Sequence, residues 1–369
     1  MRSARVQAAT ATLDAVSSVR LRSLALAVLI VITTGLGALV APLARAGAAT
    51  NTVAIGAGLR GPRGLVATVY ARSLKKISAL AVDGQGHVWA ATAQATDNNS
   101  DAIYLVRAAG TTPQKVVTDV HTPLGLLWVG DTLYVAQSSG VLALRGFDGT
   151  QFTSRTSILT VPTGTGEVNG IAQGTDGRLY LGISSPCDHC SPTATWSASV
   201  LSFLPDGSDV QVVADHIRAP VGLTFWPGTD DLFVTMNQRD DLGSKTPGDW
   251  LALVKAAQSW GFPACYGQDA APCDGVPAPI AVLAKHAAVS GVAIVTGQLG
   301  TTVGTGAVVA EWATGHVKLV RLARSASGYT GRTTTFLTGF ANPVPVLVDG
   351  TGALYVGDWT SGRLYQITG

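Results

Sequence analysis

The chain has 369 residues, 47% of them apolar and only 13% charged, with 43 glycines and a formal net charge of +2. This composition excludes a disordered or fibrous chain and supplies enough apolar surface for a large core. So much glycine favours many tight turns over long helices, and the fold is expected to be all-β.

The N-terminus stands apart from the rest. Arg2, Arg5, Arg20 and Arg22 precede an uncharged stretch from Ser23 to Ala44, followed by the small residues of Ala44-Arg45-Ala46. A basic flank, an apolar run and small residues at a cleavage-like position read as a signal peptide, so export is expected. The run is also long enough to span a bilayer, which keeps an uncleaved membrane anchor open. Residues 1–46 carry five arginines and one aspartate, so residues 47–369 have a net charge of −2 rather than +2. No basic patch interleaved with aromatics survives there, and nucleic acid is not an expected partner.

From Ile77 onward one motif recurs: a short apolar run around a small residue, a turn, then a strand ending in an aromatic residue. Its copies are ISALAVDGQGHVWAAT from Ile77, PLGLLWVGDTLYVAQ from Pro123, VNGIAQGTDGRLYLGI from Val168, PVGLTFWPGTDDLFVTM from Pro220, VSGVAIVTG running into GAVVAEW from Val289, and PVPVLVDGTGALYVGD from Pro343. Taking Ala79, Gly125, Gly170, Gly222, Gly291 and Pro345 as equivalent, the steps are 46, 45, 52, 69 and 54 residues. Periods of about 40 to 50 residues with several strands each are those of propeller blades. The fold class is therefore a six-bladed β-propeller spanning residues 47–369. A second hairpin strand pair follows each copy, and a strand near Asn51–Ile55 is expected to complete the last blade and close the ring.

The 69-residue step implies an insertion at about 237–284, and insertions in repeats often map to the binding face. Within it, the apolar spacing from Pro247 to Trp260 suggests a short helix. The four cysteines lie close in pairs, Cys187 with Cys190 and Cys265 with Cys273. In an exported chain they read as two local disulfides, with a metal or redox site at Cys187-Asp188-His189-Cys190 as the competing reading.

Several stretches resemble the glucose/sorbosone dehydrogenase family: GIAQGTDGRLYLGISSPCDHC (170–190), SFLPDGSDVQVVADHIRAPVGLTFWPGTDDLFVTMNQRDDLG (202–243), SWGFPACYG (259–267), AKHAAVSGVAIVTG (284–297) and ALYVGDWTSGRLYQI (353–367). The resemblance implies a soluble propeller that oxidises an aldose or related sugar with pyrroloquinoline quinone (PQQ) and passes electrons to an acceptor. It further implies a histidine base, arginines and a lysine on the quinone carboxylates, and calcium at the reactive carbonyl.

Carried over position by position, the place of the base reads Gly166 or Glu167, with no histidine between His121 and His189. Glu167 and His121 are the candidate catalytic residues. The family's cofactor arginine matches Arg218, whereas its other cations fall near Ala313, Asn342 and Val344. The well-matched segment NQRDDLG offers Asn237 and Arg239 to the cofactor and Asp240 and Asp241 to calcium, and His286 is a further rim candidate for the cofactor. Two other functions compete: a propeller that has lost the cofactor and binds carbohydrate or protein at its mouth, and a calcium-dependent lactonase needing carboxylates from several blades.

Overall fold

A computed structural model of the chain describes residues 52–266, 273–326 and 328–369. The export or anchor segment expected over residues 1–46 lies outside them. Among the described residues no helix is long and apolar enough to cross a membrane.

Six antiparallel sheets stand around one axis. The first blade comprises Ile77–Val82, Val88–Thr92, Ala102–Val106 and Gln114–Val117, and the second Gly125–Val129, Thr132–Gln137, Gly140–Phe147 and Phe152–Thr160. The third holds Val168–Gln173, Leu179–Ile183, Ser199–Phe203 and Gln211–Asp215, the fourth Pro220–Phe225, Leu232–Met236, Gly248–Val254 and Ala281–Lys285. The fifth holds Val289–Thr296, Thr305–Glu311, His316–Ser325 and Gly328–Thr338. The sixth takes Pro343–Val348, Leu354–Asp358 and Arg363–Thr368 from the C-terminus and Val66–Ala71 from the other end of the chain.

Each of the six sequence copies supplies the first two strands of a blade, and the first strand is the innermost. Neighbouring inner strands pack on one another all the way round, including the sixth against the first. The repeated small residue makes that ring possible. A Cβ on Gly125 would lie 2.6 Å from the Asn169 carbonyl oxygen, one on Gly170 2.6 Å from that of Val221, and one on Gly222 2.4 Å from that of Ser290. Backbone cannot yield to a methyl group at such distances, so glycine is required by close approach. In five blades the inner strand also shifts register beside this residue. Such bulges re-aim the side chains beside them.

The core is divided in the same way. Six apolar clusters form, one at each blade-to-blade interface. Between the first two blades, Trp89 is fully buried against Trp128, Phe147 and Phe152 with ring centroids 4.9–5.6 Å apart. A single blade leaves both faces open, and only its neighbours cover them.

Three expectations need correction. The ring is closed by Val66–Ala71 pairing with Arg363–Thr368, not by a strand near Asn51–Ile55. Val53–Gly56 instead pairs with Leu59–Gly61, which extends the edge of the fifth blade. The closing strand buries Ala67, Tyr70 and Ala71, and Tyr70 meets Tyr355 edge-on, burial that a segment further from the sixth blade cannot reach. The helix expected within Pro247 to Trp260 is a strand, Gly248–Val254. It is covered on both faces, so its apolar residues follow no period that separates strand from helix. Accordingly, the insertion at about 237–284 contains two strands of the fourth blade. Its extra chain is confined to the segment around the 3-10 turn Gly243–Lys245 and to the connection between Val254 and Ala281, of which residues 267–272 lie outside the described residues.

Candidate functional site

The ends of the inner strands and the loops beside them enclose an open cavity of about 720 Å³ at one face of the ring. Beneath it the axis holds a narrower space of about 400 Å³. Leu124, Glu167, Val221, Asn237 and Ala288 line both.

Glu167 enters this mouth immediately before the inner strand of the third blade. Its backbone carbonyl accepts from the Ser184 N–H and from the Asn169 side chain, and its exposed carboxylate has no partner among the described residues. Asn169, 1% exposed, donates to Ser184 Oγ at 2.8 Å, while its Oδ1 is buried without a donor. Asn237 Oδ1 is also buried without a donor. Buried acceptors of this kind are costly unless a ligand or water supplies the missing hydrogen bond.

Arg218 lies in the same wall with its guanidinium already engaged. Nη2 donates to Asp188 Oδ1 at 2.6 Å, Nε to the Asp188 carbonyl at 3.0 Å and Nη1 to the Asn237 carbonyl at 3.2 Å. Asp188, held between the bonded Cys187 and Cys190, also accepts from the backbone N–H of Asp240. The CDHC segment is thus a disulfide loop, and Cys265 is likewise bonded to Cys273. No group of three or more histidine, cysteine, aspartate or glutamate side chains capable of holding a metal exists among the described residues.

The other predicted residues divide between mouth and rim. Asp240 lines the mouth, and its Oδ1 meets His286 Nδ1 at 2.8 Å; His286 also lies 3.3 Å from the Gly243 carbonyl. Arg239 does not line the cavity. It is 6% exposed, grips Asp241 with two hydrogen bonds of 2.5 and 2.6 Å, and stacks 4.6 Å from the Tyr266 ring. That grip pulls the Asp241 carboxyl down to about 2. His121 is likewise outside the lining, with Nδ1 2.7 Å from Asp97 and Nε2 3.6 Å from Asp119.

Two lining residues escape a reading of the sequence. Asp249, 3% exposed, accepts from the Gln238 N–H at 2.9 Å and the Val289 N–H at 3.2 Å. Burial pushes its carboxyl up to about 6, with the nearby Asp240 charge adding to the effect while the two N–H groups and Arg218 oppose it. Its only signal in sequence is an acid at the head of the apolar run GDWLALV. Trp312, 37% exposed, lines the axial space from the fifth blade and meets Trp359 edge-on at 6.0 Å.

Fold and mouth together define a six-bladed propeller with an open, acceptor-rich axial site. The architecture is that of solved sugar dehydrogenases. The chain is similar to an oxidoreductase from Thermus thermophilus described as a glucose dehydrogenase, with 20% identity and a TM-score of 0.66 over 82% of this chain and 100% of that one. It is similar to the holo form of the PQQ domain of pyranose dehydrogenase from Coprinopsis cinerea, with 16% identity and a TM-score of 0.68 over 84% and 97%. The PQQ-bound aldose sugar dehydrogenase of Streptomyces coelicolor gives 18% identity and a TM-score of 0.65 over 84% and 99%. No protein-family model and no curated protein matches the chain by sequence. At these identities the likeness establishes the fold.

The mouth does not fit the cofactors of such proteins. PQQ carries three carboxylates, yet the described lining presents Glu167, Asp188, Asp240 and Asp249 with Arg218 as its one cation, itself paired. Adding a trianion there sets like charges against one another. Nor do the residues fit calcium, because Asp241 is bound to Arg239 and Asp240 to His286, so no set of free carboxylates converges among the described residues.

Proposed function

We propose that the protein binds a carbohydrate at the mouth of the propeller and does so without a quinone. The observation that carries this reading is the described lining itself: carboxylates and the donor-less Asn169 and Asn237 oxygens, with no free cation among them. A neutral polyol offers many O–H donors to such a surface, whereas the carboxylates of a quinone such as PQQ offer only acceptors. Trp312 adds an apolar face to the axial space from the fifth blade, the usual complement of a few placed polar groups in a ligand site. The two disulfides suit an oxidising compartment, and we infer that residues 1–46 direct export or anchor the chain at a membrane surface.

Quinone-dependent sugar oxidation is the second reading, favoured by the likeness to PQQ-bound sugar dehydrogenases. One experiment separates the two. The purified protein is titrated calorimetrically with aldohexoses, aldopentoses and their oligomers, and in parallel mixed with calcium and PQQ while sugar-dependent dye reduction is followed. Saturable sugar binding with no dye reduction is the expected result. Sugar-dependent reduction that requires PQQ establishes the second reading and overturns the first.

A further inference from the structure

Asp249 is unlike the other carboxylates of the mouth. It is the second residue of the strand Gly248–Val254 of the fourth blade, and its two oxygens are fixed by N–H groups from separate segments, Gln238 ahead of it and Val289 of the fifth blade. The group is therefore held rigidly in the wall, almost out of water. The charged residues that share its cavity are Asp240, Asp188, Glu167 and Arg218, and Asp240 and Arg218 act on it most strongly. Glu167 is the opposite case: solvent-facing, unpaired among the described residues and reaching both the mouth and the axial space. Two carboxyl groups with such different surroundings in one site are the usual makings of an acid and a base.

We propose that the mouth interconverts the anomers of a reducing sugar, with Glu167 as base and Asp249 as acid. The inference rests on the carbohydrate reading above. Glu167 takes the proton of the anomeric hydroxyl, the C1–O1 pair becomes the carbonyl, the C1–O5 bond breaks, and O5 receives the proton of Asp249. Rotation about C1–C2 and the reverse transfers close the ring as the other anomer and restore both carboxyl groups. No oxidant, metal or water is consumed. The charge of the mouth selects this reaction over its neighbours. Lactone hydrolysis and aldose–ketose isomerisation build an oxyanion, which the surrounding carboxylates oppose, whereas paired proton transfer leaves the sugar neutral throughout. Burial and the Asp240 charge keep Asp249 protonated to about pH 6, so the acid is available in mildly acidic and near-neutral surroundings.

The test is polarimetry of freshly dissolved α-D-glucose and α-D-galactose with the full chain at pH 5 to 8, alongside calorimetric sugar binding. Acceleration over buffer is expected, declining above about pH 6. Glu167→Gln and Asp249→Asn should each lower the protein-dependent rate by about 10²-fold or more. Because Asp249→Asn disturbs a buried site, its circular dichroism and sugar affinity are measured as well; Glu167→Gln alters an exposed side chain and carries the test if the first variant fails to fold. Sugar binding without acceleration, or full rate in Glu167→Gln, overturns the assignment of acid–base chemistry while leaving carbohydrate binding intact. Absence of sugar binding overturns the carbohydrate reading and this one with it.

Discussion

The burial of Asp249 makes stability depend on pH in a direction opposite to that of most carboxylates. Its carboxyl is raised from the ordinary range to about 6 in the folded protein, so between about pH 4 and pH 6 the folded state holds a proton that the unfolded state releases. Stability contributed at this site is therefore highest below pH 4 and falls as pH rises to 6 and beyond. A displacement of about two pH units is worth roughly 3 kcal/mol, at about 1.36 kcal/mol per unit. Comparison with Asp249→Asn isolates the group, because asparagine does not titrate and its own packing or hydrogen-bond penalty is the same at every pH. Urea unfolding of both proteins is followed from pH 3.5 to 8. The stability of the variant relative to the parent should rise by about 3 kcal/mol across that range, most of it between pH 4 and 6. A flat difference, or one that falls with pH, refutes the claim that Asp249 is a desolvated carboxyl.

Other substitutions probe the ring, the closure and the rim. Gly222→Ala places a Cβ 2.4 Å from the Ser290 carbonyl oxygen and forces two blades apart, so chemical denaturation should show a loss of about 1–3 kcal/mol. Deleting Val66–Ala71 leaves Arg363–Thr368 as an open edge, and size-exclusion chromatography should find aggregate in place of monomer. Replacing Cys187 and Cys190 by alanine removes the constraint on a short loop and should lower stability by about 2 kcal/mol while loosening Asp188 from Arg218. Arg239→Ala should lower the melting temperature by breaking the grip on Asp241, yet leave sugar affinity in calorimetry unchanged, since Arg239 does not reach the mouth.

The number of blades was legible from Ala79, Gly125, Gly170, Gly222, Gly291 and Pro345 alone, because close packing around an axis leaves its mark at the same point of every repeat. The two disulfides were legible for a related reason: short spacing brings the cysteines together whatever the wider fold. The closing strand was not, since several short segments before Ile77 suit an edge and only burial against Tyr355 selects Val66–Ala71. The strand Gly248–Val254 was hidden because burial on both faces erases the period that marks strands.

The site divides in the same way. The family resemblance put Glu167, Arg218, Asn237 and Asp240 forward, and in the fold each lines the mouth, sitting at the entry to an inner strand or in the loop that follows the second strand of its blade. Direction and pairing came from tertiary structure. Adjacent in sequence, Asp240 and Asp241 part company, one in the mouth beside His286 and the other bound to Arg239 under Tyr266. Arg218 is an available cation in the sequence and a paired one in the fold, because Asp188 reaches it across 30 residues. Composition and repetition by themselves determined an all-β chain of six blades. Only the folded chain decided the charge of that site, because charge in a cavity depends on which partners each group meets across blades, and a linear chain does not contain those distances.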